Sequence, residues 1–347
     1  MTDVTVEPSG STNGRSGAGD HLLEVRDLHI EFRTRDGVAK VINGVSYHLD
    51  PGETLAVLGE SGSGKSVTAQ AIMGILDMPP GHISAGQIRY RGRDLLNMDE
   101  NERRQVRGKE IAMIFQDALS ALNPVFSVGY QISETLRRRL KMSKNAAMRR
   151  AVELMELVKI PGARERIKDY PHQFSGGMRQ RVMIAMALAM DPKVLIADEP
   201  TTALDVTVQA QVMDLLGELR RELNMAMILI THDLGVVADV ADRIAVMYAG
   251  RIVEHADVHA LYRSQAHPYT KGLLDSIPRL DSKGTQLRTI RGLPPNLMRP
   301  PAACTFHPRC PFVQDVCRTV YPEVIDLGND RTSACHFAEE VLDGTLR

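Results

Sequence analysis

The sequence is short of several things, and each shortage removes a class of protein. No apolar run approaches the ~20 residues that span a bilayer. The longest, Val182 to Met190, stops at Asp191. Charge of one sign is not in excess: 42 Lys and Arg against 43 Asp and Glu leave a formal net charge of −1. That removes a general electrostatic argument for nucleic-acid binding and leaves room only for a local basic patch. No Cys precedes position 304, so thiol chemistry belongs to one end of the chain. The opening stretch, MTDVTVEPSGSTNGRSGAGD, lacks the basic start and apolar core of a signal peptide and reads as a disordered Ser/Gly tail. No internal repeat is seen. A soluble, intracellular protein is expected, one that reaches a membrane only through a partner.

What is present is a folded chain of 347 residues, 43% apolar and 24% charged. Val25, Leu28, Ile30 and Phe32 alternate roughly in a first strand, and VINGVSYHL reads as a second. TLAVLG, IAMIFQD, KVLIADEP and AMILITHD are short buried strands. KSVTAQAIMGIL and VTVQAQVMDLLGELRREL are helices, and DRIAVMYAGRIVEHA reads as a hairpin turning at Ala249-Gly250. From about Asn123 to Gln173 the pattern is helical, with Ala147, Ala151, Leu154, Met155 and Val158 on one face. Strands alternating with helices predict an α/β fold with a mostly parallel, covered sheet. The expected organisation is a tail over 1–20, a nucleotide-binding domain over 21–265 with a helical subdomain at 117–175, and a Pro-rich extension over 266–347.

The chemistry starts at GESGSGKS, Gly59 to Ser66, which follows a strand and opens a helix. This is a phosphate loop in the required context. Gly59, Ser61, Gly62, Ser63, Gly64 and Val67 are read as lining the nucleotide. Lys65 offers a point charge to the β/γ oxygens, and Ser66 a hydroxyl to Mg²⁺. VLIAD then delivers Asp198 to a strand end as the second Mg²⁺ holder, with Glu199 as general base for an attacking water. Alone, such an acid pair is more often a helix cap; a phosphate loop upstream reverses the odds. Gln116 and His232 also end strands, as a further Mg²⁺ or water ligand and a γ-phosphate contact. Either would be an ordinary strand-end residue in isolation, but ligands of α/β sheets bind where several strands end together. FSGGMRQR raises a different question. Ser175 caps a helix whose bare Gly176 and Gly177 amides make a second anion site far from the first.

Phosphate loop, Gln116, SGG, VLIADEP, ALD (Ala203 to Asp205) and His232 occur in this order with a helical insertion before SGG. That set resembles the ATP-binding cassette family over about Leu22 to Arg263. The resemblance implies two cassettes paired head to tail, each ATP clamped between the phosphate loop of one and the signature of the other. Ser175, Gly176, Gly177 and Met178 would then serve a partner's γ-phosphate. Phe174 and Met178 depart from the family's LSGGQ at its first and last positions. The resemblance also implies Asp205 at the seam between cassettes, Gln116 and the helical insertion facing a membrane subunit, and an aromatic stacked on adenine. Phe32 is the candidate aromatic, weighed evenly against a half-buried strand residue.

QDALSALNPVFSVGYQI, DEPTTALDVTVQAQ, AHPYTKGLLDSIP, GLPPNL and CTFHPRCPF are similar to the dipeptide/oligopeptide/nickel branch of that family. The branch implies an ATPase at the cytoplasmic face of the membrane. It works with a second cassette, often a distinct chain, two permeases and an extracytoplasmic binding protein, and without nucleic acid. Its function would be peptide uptake, with nickel uptake as the alternative. Cys304, Cys310, Cys317 and Cys335 are separated by five, six and seventeen residues, with no C-x₂-C knuckle, so a zinc ribbon is a weak reading. Four thiols in so short a span are able to reach one [4Fe–4S] cluster, and the branch implies one. Zinc with help from His307 or His336, and four unconnected thiols, stay open. Two readings lie outside transport. A soluble cassette of DNA repair or translation usually has two fused cassettes or a coiled-coil insertion. A phosphate-loop kinase or GTPase leaves SGG unexplained, and no N-K-x-D is present.

Overall fold

The computed structural model describes residues 21–117, 121–202, 204–276 and 290–346. The expected tail and Ala203 lie outside them. The chain opens with a long hairpin, β1 (Leu23–Thr34) and β2 (Gly37–Leu49). The stretch RTRDG, which loosened the spacing in the sequence, is its turn: Thr34 pairs with Gly37 across Arg35 and Asp36. The imperfect alternation from Val25 to Leu28 has a cause too. The pairing register shifts there, around a left-handed Asp27 at φ 43°.

Next come β3 (Thr54–Leu58), α1 (Lys65–Met73), β4 (Gly81–Tyr90), β5 (Arg93–Asp94), α2 (Glu100–Val106) and β6 (Ile111–Ile114). The helical part holds α3 (Val128–Arg139), α4 (Lys144–Leu157), α5 (Ala163–Arg166) and α6 (Gly176–Leu188). Three of these share one start: Ser127, Ser143 and Ser175 each accept a hydrogen bond from the amide three residues on. The stripe read at helical spacing is the buried face of α4, with Ala147, Ala151, Leu154 and Met155 inside. The frame resumes with β7 (Val194–Asp198), α7 (Val206–Glu222), β8 (Ala226–Thr231), α8 (Leu234–Val240), β9 (Arg243–Tyr248) and β10 (Arg251–Asp257). Last are α9 (Val258–Arg263), α10 (Pro268–Asp275), α11 (Asp315–Thr319), β11 (Ile325–Asp326), β12 (Thr332–Ser333) and α12 (Ala338–Asp343).

The strands form two sheets. A four-stranded antiparallel sheet runs β2-β1-β4-β5, and an eight-stranded sheet runs β11-β12-β10-β9-β3-β8-β7-β6. From β9 to β6 the larger sheet is parallel. Every residue of β3, β7 and β8 is buried, as covered parallel strands require. One apolar cluster joins a sheet face to the helical part, through Ile132, Leu154, Val182 and Leu216. Another fills the space between the two sheets and α1, through Leu28, Ile42, Ile72 and Ile228.

The C-terminal extension does more than its fading pattern predicts. It pairs β12 with β10, Glu254 opposite Ser333, and so widens the main sheet. It builds only a small core of its own, Ala338 and Val341 with Ile325, Leu327 and Phe337, and borrows a larger one. Phe306 is buried with Tyr248, Tyr269 and Leu261, and Cys304 and Cys310 pack against that cluster. Arg331 reaches the fully buried Glu254 at 2.8 Å, a paired charge at the junction.

Candidate nucleotide site

The loop from β3 to α1 is shaped by its glycines. Gly59, Gly62 and Gly64 have φ of 151°, 78° and 107°, values open to glycine and strained for other residues. A Cβ on Gly59 would sit 2.3 Å from the Met247 carbonyl oxygen. Gly64 caps α1 with no side-chain hydrogen bond, so the first amides of that helix face outward at its positive end. The buried Ser63 hydroxyl has no hydrogen-bond partner, which suits a loop built to receive oxygens from a ligand.

Lys65 is buried. Its ammonium donates to the carbonyls of Gly59 at 2.7 Å and Glu60 at 3.1 Å. Burial pulls its pKa down, against the opposing pull of Glu199, Asp198 and Glu60. Ser66 Oγ donates to Asp198 Oδ1 at 2.9 Å, so the two residues read as metal holders meet directly. Burial pushes the Asp198 carboxyl up, and the Ser66 hydrogen bond pulls it back. The donor pair is two hard oxygens at the mouth of a phosphate loop, a set that fits Mg²⁺.

Glu199 follows β7 with its backbone in the left-handed region, φ 46°. Its amide is pinned to the Ile230 carbonyl, 2.8 Å away on β8. Its carboxylate accepts from Gln116 Nε2 and from Thr202 Oγ1, both at 2.9 Å, and His232 Nδ1 lies 3.5 Å away. The ends of β3, β6, β7 and β8 thus bring Lys65, Ser66, Gln116, Asp198, Glu199 and His232 to one edge of the sheet. Thr202 was missed by sequence reasoning. Its signal is present, a hydroxyl three residues after the acid in DEPTT, and nothing but geometry gives it a task.

The remaining candidates stand apart. Among the described residues no hydrogen bond joins 175–178 to 59–66. Ser175 caps α6, and a Cβ on Gly177 would meet Val208 Cγ1 on α7 at 2.5 Å. Met178 Sδ accepts from Arg166 at 3.3 Å, and the same guanidinium lies 5.0 Å from the buried Phe174 ring. Asp205 caps α7, accepting from the Val208 amide at 2.9 Å. Phe32 is half-buried on the cluster that also takes Val41, Val67 and Ile83.

Cys304, Cys310, Cys317 and Cys335 are free thiols, and all four line one pocket with Phe306, Phe312 and Phe337. Burial raises Cys304, pushes Cys310 up to about 11 and Cys335 up to about 12. Among the described residues, the one group of three or more His, Cys, Asp or Glu whose ligand atoms all lie within 4.8 Å is His21, His48 and Asp50. No three of these thiols therefore sit as close as one zinc holds them, about 3.8 Å apart for tetrahedral Zn–S bonds.

A family model described as ABC transporter matches residues 42–202, and one described as Oligopeptide/dipeptide transporter, C-terminal region, matches 253–317. The chain is 56% identical over 296 residues to the oligopeptide transport ATP-binding protein OppD of Bacillus subtilis, covering 85% of this chain and 83% of that protein. It is 50% identical to the dipeptide transport ATP-binding protein DppD of the same organism, covering 92% and 96%. To OppD of Salmonella typhimurium it is 53% identical, covering 92% and 95%. Among solved structures, a dimeric post-hydrolysis ATP-binding cassette bound to ADP and Pi superposes with a TM-score of 0.60 at 26% identity, covering 68% of this chain and 98% of that one. The cbiO1 protein of Clostridium perfringens, part of an ABC transporter complex, superposes at 0.61 with 29% identity, covering 70% and 91%. No described helix is long and apolar enough to cross a membrane.

Proposed function

The chain belongs to the ABC transporter ATPases that carry the oligopeptide/dipeptide C-terminal region, and on that footing we propose that it hydrolyses ATP to power uptake of short peptides. The relatives are named for oligopeptide and dipeptide transport, which favours peptides over nickel and over a soluble, non-transport cassette. The observation that carries the reading is the Glu199 carboxylate. Gln116 and Thr202 hold it and His232 flanks it, beside the Ser66–Asp198 pair at the end of the same strand.

Gly59, Ser61, Gly62, Ser63, Gly64 and Val67 wrap the triphosphate with backbone amides, and Lys65 leaves its loop carbonyls to meet the β/γ oxygens. Ser66, Asp198 and Gln116 hold Mg²⁺, which when bound neutralises charge on those oxygens. Glu199 takes a proton from the attacking water, and His232 contacts the γ-phosphate. Ser175, Gly176, Gly177 and Met178 complete the site of a second cassette, with Asp205 at the seam. Phe32 stacks on adenine. The outward amides of α6, on a helix apart from this chain's own phosphate loop, support that division of labour.

The organisation follows: a cassette over 21–265, with its helical subdomain at 117–175, and an extension over 266–347. The protein works at the cytoplasmic face of the membrane with a second ATPase chain, two permeases and an extracytoplasmic binding protein. The four thiols hold a [4Fe–4S] cluster. Their convergence on one pocket supports this reading. A bound cluster supplies a covalent staple to a segment with little core of its own.

Co-purification with the permeases and reconstitution in vesicles tests the function. Peptide delivered by the binding protein is expected to stimulate ATP hydrolysis and accumulate inside; stimulation by nickel and not by peptide would reverse the reading. Anaerobically purified protein is expected to be brown and to contain iron and sulfide. A colourless, iron-free protein that binds zinc would remove the cluster.

A further inference from the structure

The phosphate loop contains an acid. Glu60 follows Gly59 directly, and an uncompensated carboxylate there would repel the triphosphate that the loop must hold. The structure answers that charge from an unexpected quarter. Arg309 lies in the C-terminal extension, 249 positions away, between Cys304 and Cys310. Its two terminal nitrogens take the two Glu60 oxygens, at 2.6 and 2.9 Å. This is the bidentate fork of the strongest guanidinium–carboxylate pairs.

The pair is not a loose surface contact. The Arg309 side chain is 5% exposed and that of Glu60 27%. Arg309 Nε donates to the Arg291 carbonyl at 3.1 Å, and its guanidinium lies 5.8 Å from the Tyr248 ring. Tyr248 is buried against Tyr269 and Phe306, with ring centroids 4.6 and 5.2 Å away. Tyr269 then returns to the loop: its hydroxyl accepts from the Glu60 amide at 2.9 Å. The third polar group of Glu60, its carbonyl, accepts from Lys65 Nζ. Residues beyond the nucleotide-binding frame thus fix both the side chain and the amide of Glu60, while its carbonyl also accepts from the Ser63 amide of the loop at 3.2 Å, beside the lysine that must reach phosphate.

We propose that Arg309 is a positioning residue of the nucleotide site: by neutralising and holding Glu60 it keeps the phosphate loop receptive to a triphosphate, and so makes the C-terminal extension part of the ATP site. The proposal rests on the reading of 59–66 as an ATP site. Arg309 acts on the loop through Glu60, so its effect falls on affinity.

The test measures binding of a fluorescent ATP analogue to the full-length chain, with thermal unfolding alongside. Arg309→Ala is expected to weaken binding about ten-fold, the scale of one unshielded charge near the phosphates. Arg309→Lys, which keeps the charge and loses the fork, is expected to recover part of it. The deciding variant is Glu60→Gln combined with Arg309→Ala. It shares any folding defect from loss of the arginine, yet it removes the stranded carboxylate, and it is expected to bind several-fold tighter than Arg309→Ala alone. The proposal is overturned if Arg309→Ala binds within two-fold of the parent, or if the double variant binds no better than the single one. A parent chain that does not bind ATP overturns the ATP-site reading instead.

Discussion

Gln116 donates its side-chain amide to Glu199 Oε2 at 2.9 Å, joining residues 83 positions apart at the ends of β6 and β7. The bond ties the residue at the entrance to the helical part to the acid beside the phosphate loop. The carboxylate proposed as general base is thus held in one orientation by Gln116 and Thr202. The link makes Glu199 the natural first target.

Glu199→Gln keeps the shape of the side chain, and its amide oxygen still accepts from Gln116 and Thr202. What it loses is the basic carboxylate. Hydrolysis is expected to fall about 100- to 10,000-fold, the usual worth of general base catalysis. ATP binding should persist, so cassettes paired around intact nucleotide should accumulate and be visible by size exclusion. Full turnover by this variant would remove Glu199 as the base.

Thr202→Ala removes one of the two hydrogen bonds on that carboxylate. A hydrogen bond to a charged carboxylate is worth about 1.5–3 kcal/mol, so kcat should fall about ten- to hundred-fold. KM for ATP should stay near the parent value, because Thr202 bonds to the acid and not to the phosphate loop. Thr202→Ser should restore most of the rate. A rise in KM with kcat intact would mean that Thr202 acts on nucleotide directly.

Much of this site was legible before any coordinates. Gly59 to Ser66, Asp198, Glu199, Gln116 and His232 end or follow short, continuously apolar strands, and such strands announce themselves by composition. Other features left no such trace. Strands β5, β11 and β12 have two residues each, too few for any period to show. Thr202 and Arg309 acquire roles only through contacts, the latter with a residue 249 positions away. Phe32 could not be separated from a plain strand residue, because its setting on β1 satisfies either role. The thiols were legible as a group, yet their wide arrangement around one pocket was not.

Lys65→Met separates function from stability. The ammonium is buried, and burial draws its pKa down, so the folded chain carries a cost for holding charge there. A charge-assisted hydrogen bond to phosphate is worth about 1.5–3 kcal/mol, so ATP binding should weaken about ten- to hundred-fold. The nucleotide-free variant should nonetheless unfold at or above the parent's Tm, since a buried thioether carries no such cost. A lower Tm would show that the bonds from Lys65 to the Gly59 and Glu60 carbonyls matter more than its desolvation.

Gly177→Ala addresses the second anion site. An added Cβ would approach Val208 Cγ1 to 2.5 Å, too close to accept unless Val208 turns to a poorer rotamer or α6 shifts from α7. Overpacking of this kind costs about 1–3 kcal/mol, and part of it should appear as a lower Tm. The rest should appear at the start of α6, whose amides would no longer point where Ser175 now sets them. In the proposed division of labour the variant still loads ATP on its own phosphate loop, while the site it lends to a partner fails. Mixing it with the natural second chain should therefore give normal ATP loading and depressed hydrolysis. A variant with no such task, Ala151→Gly on the buried face of α4, should lower Tm without that split. If Gly177→Ala lost ATP binding in proportion to hydrolysis, α6 would belong to this chain's own nucleotide, and the case for a shared site would fall.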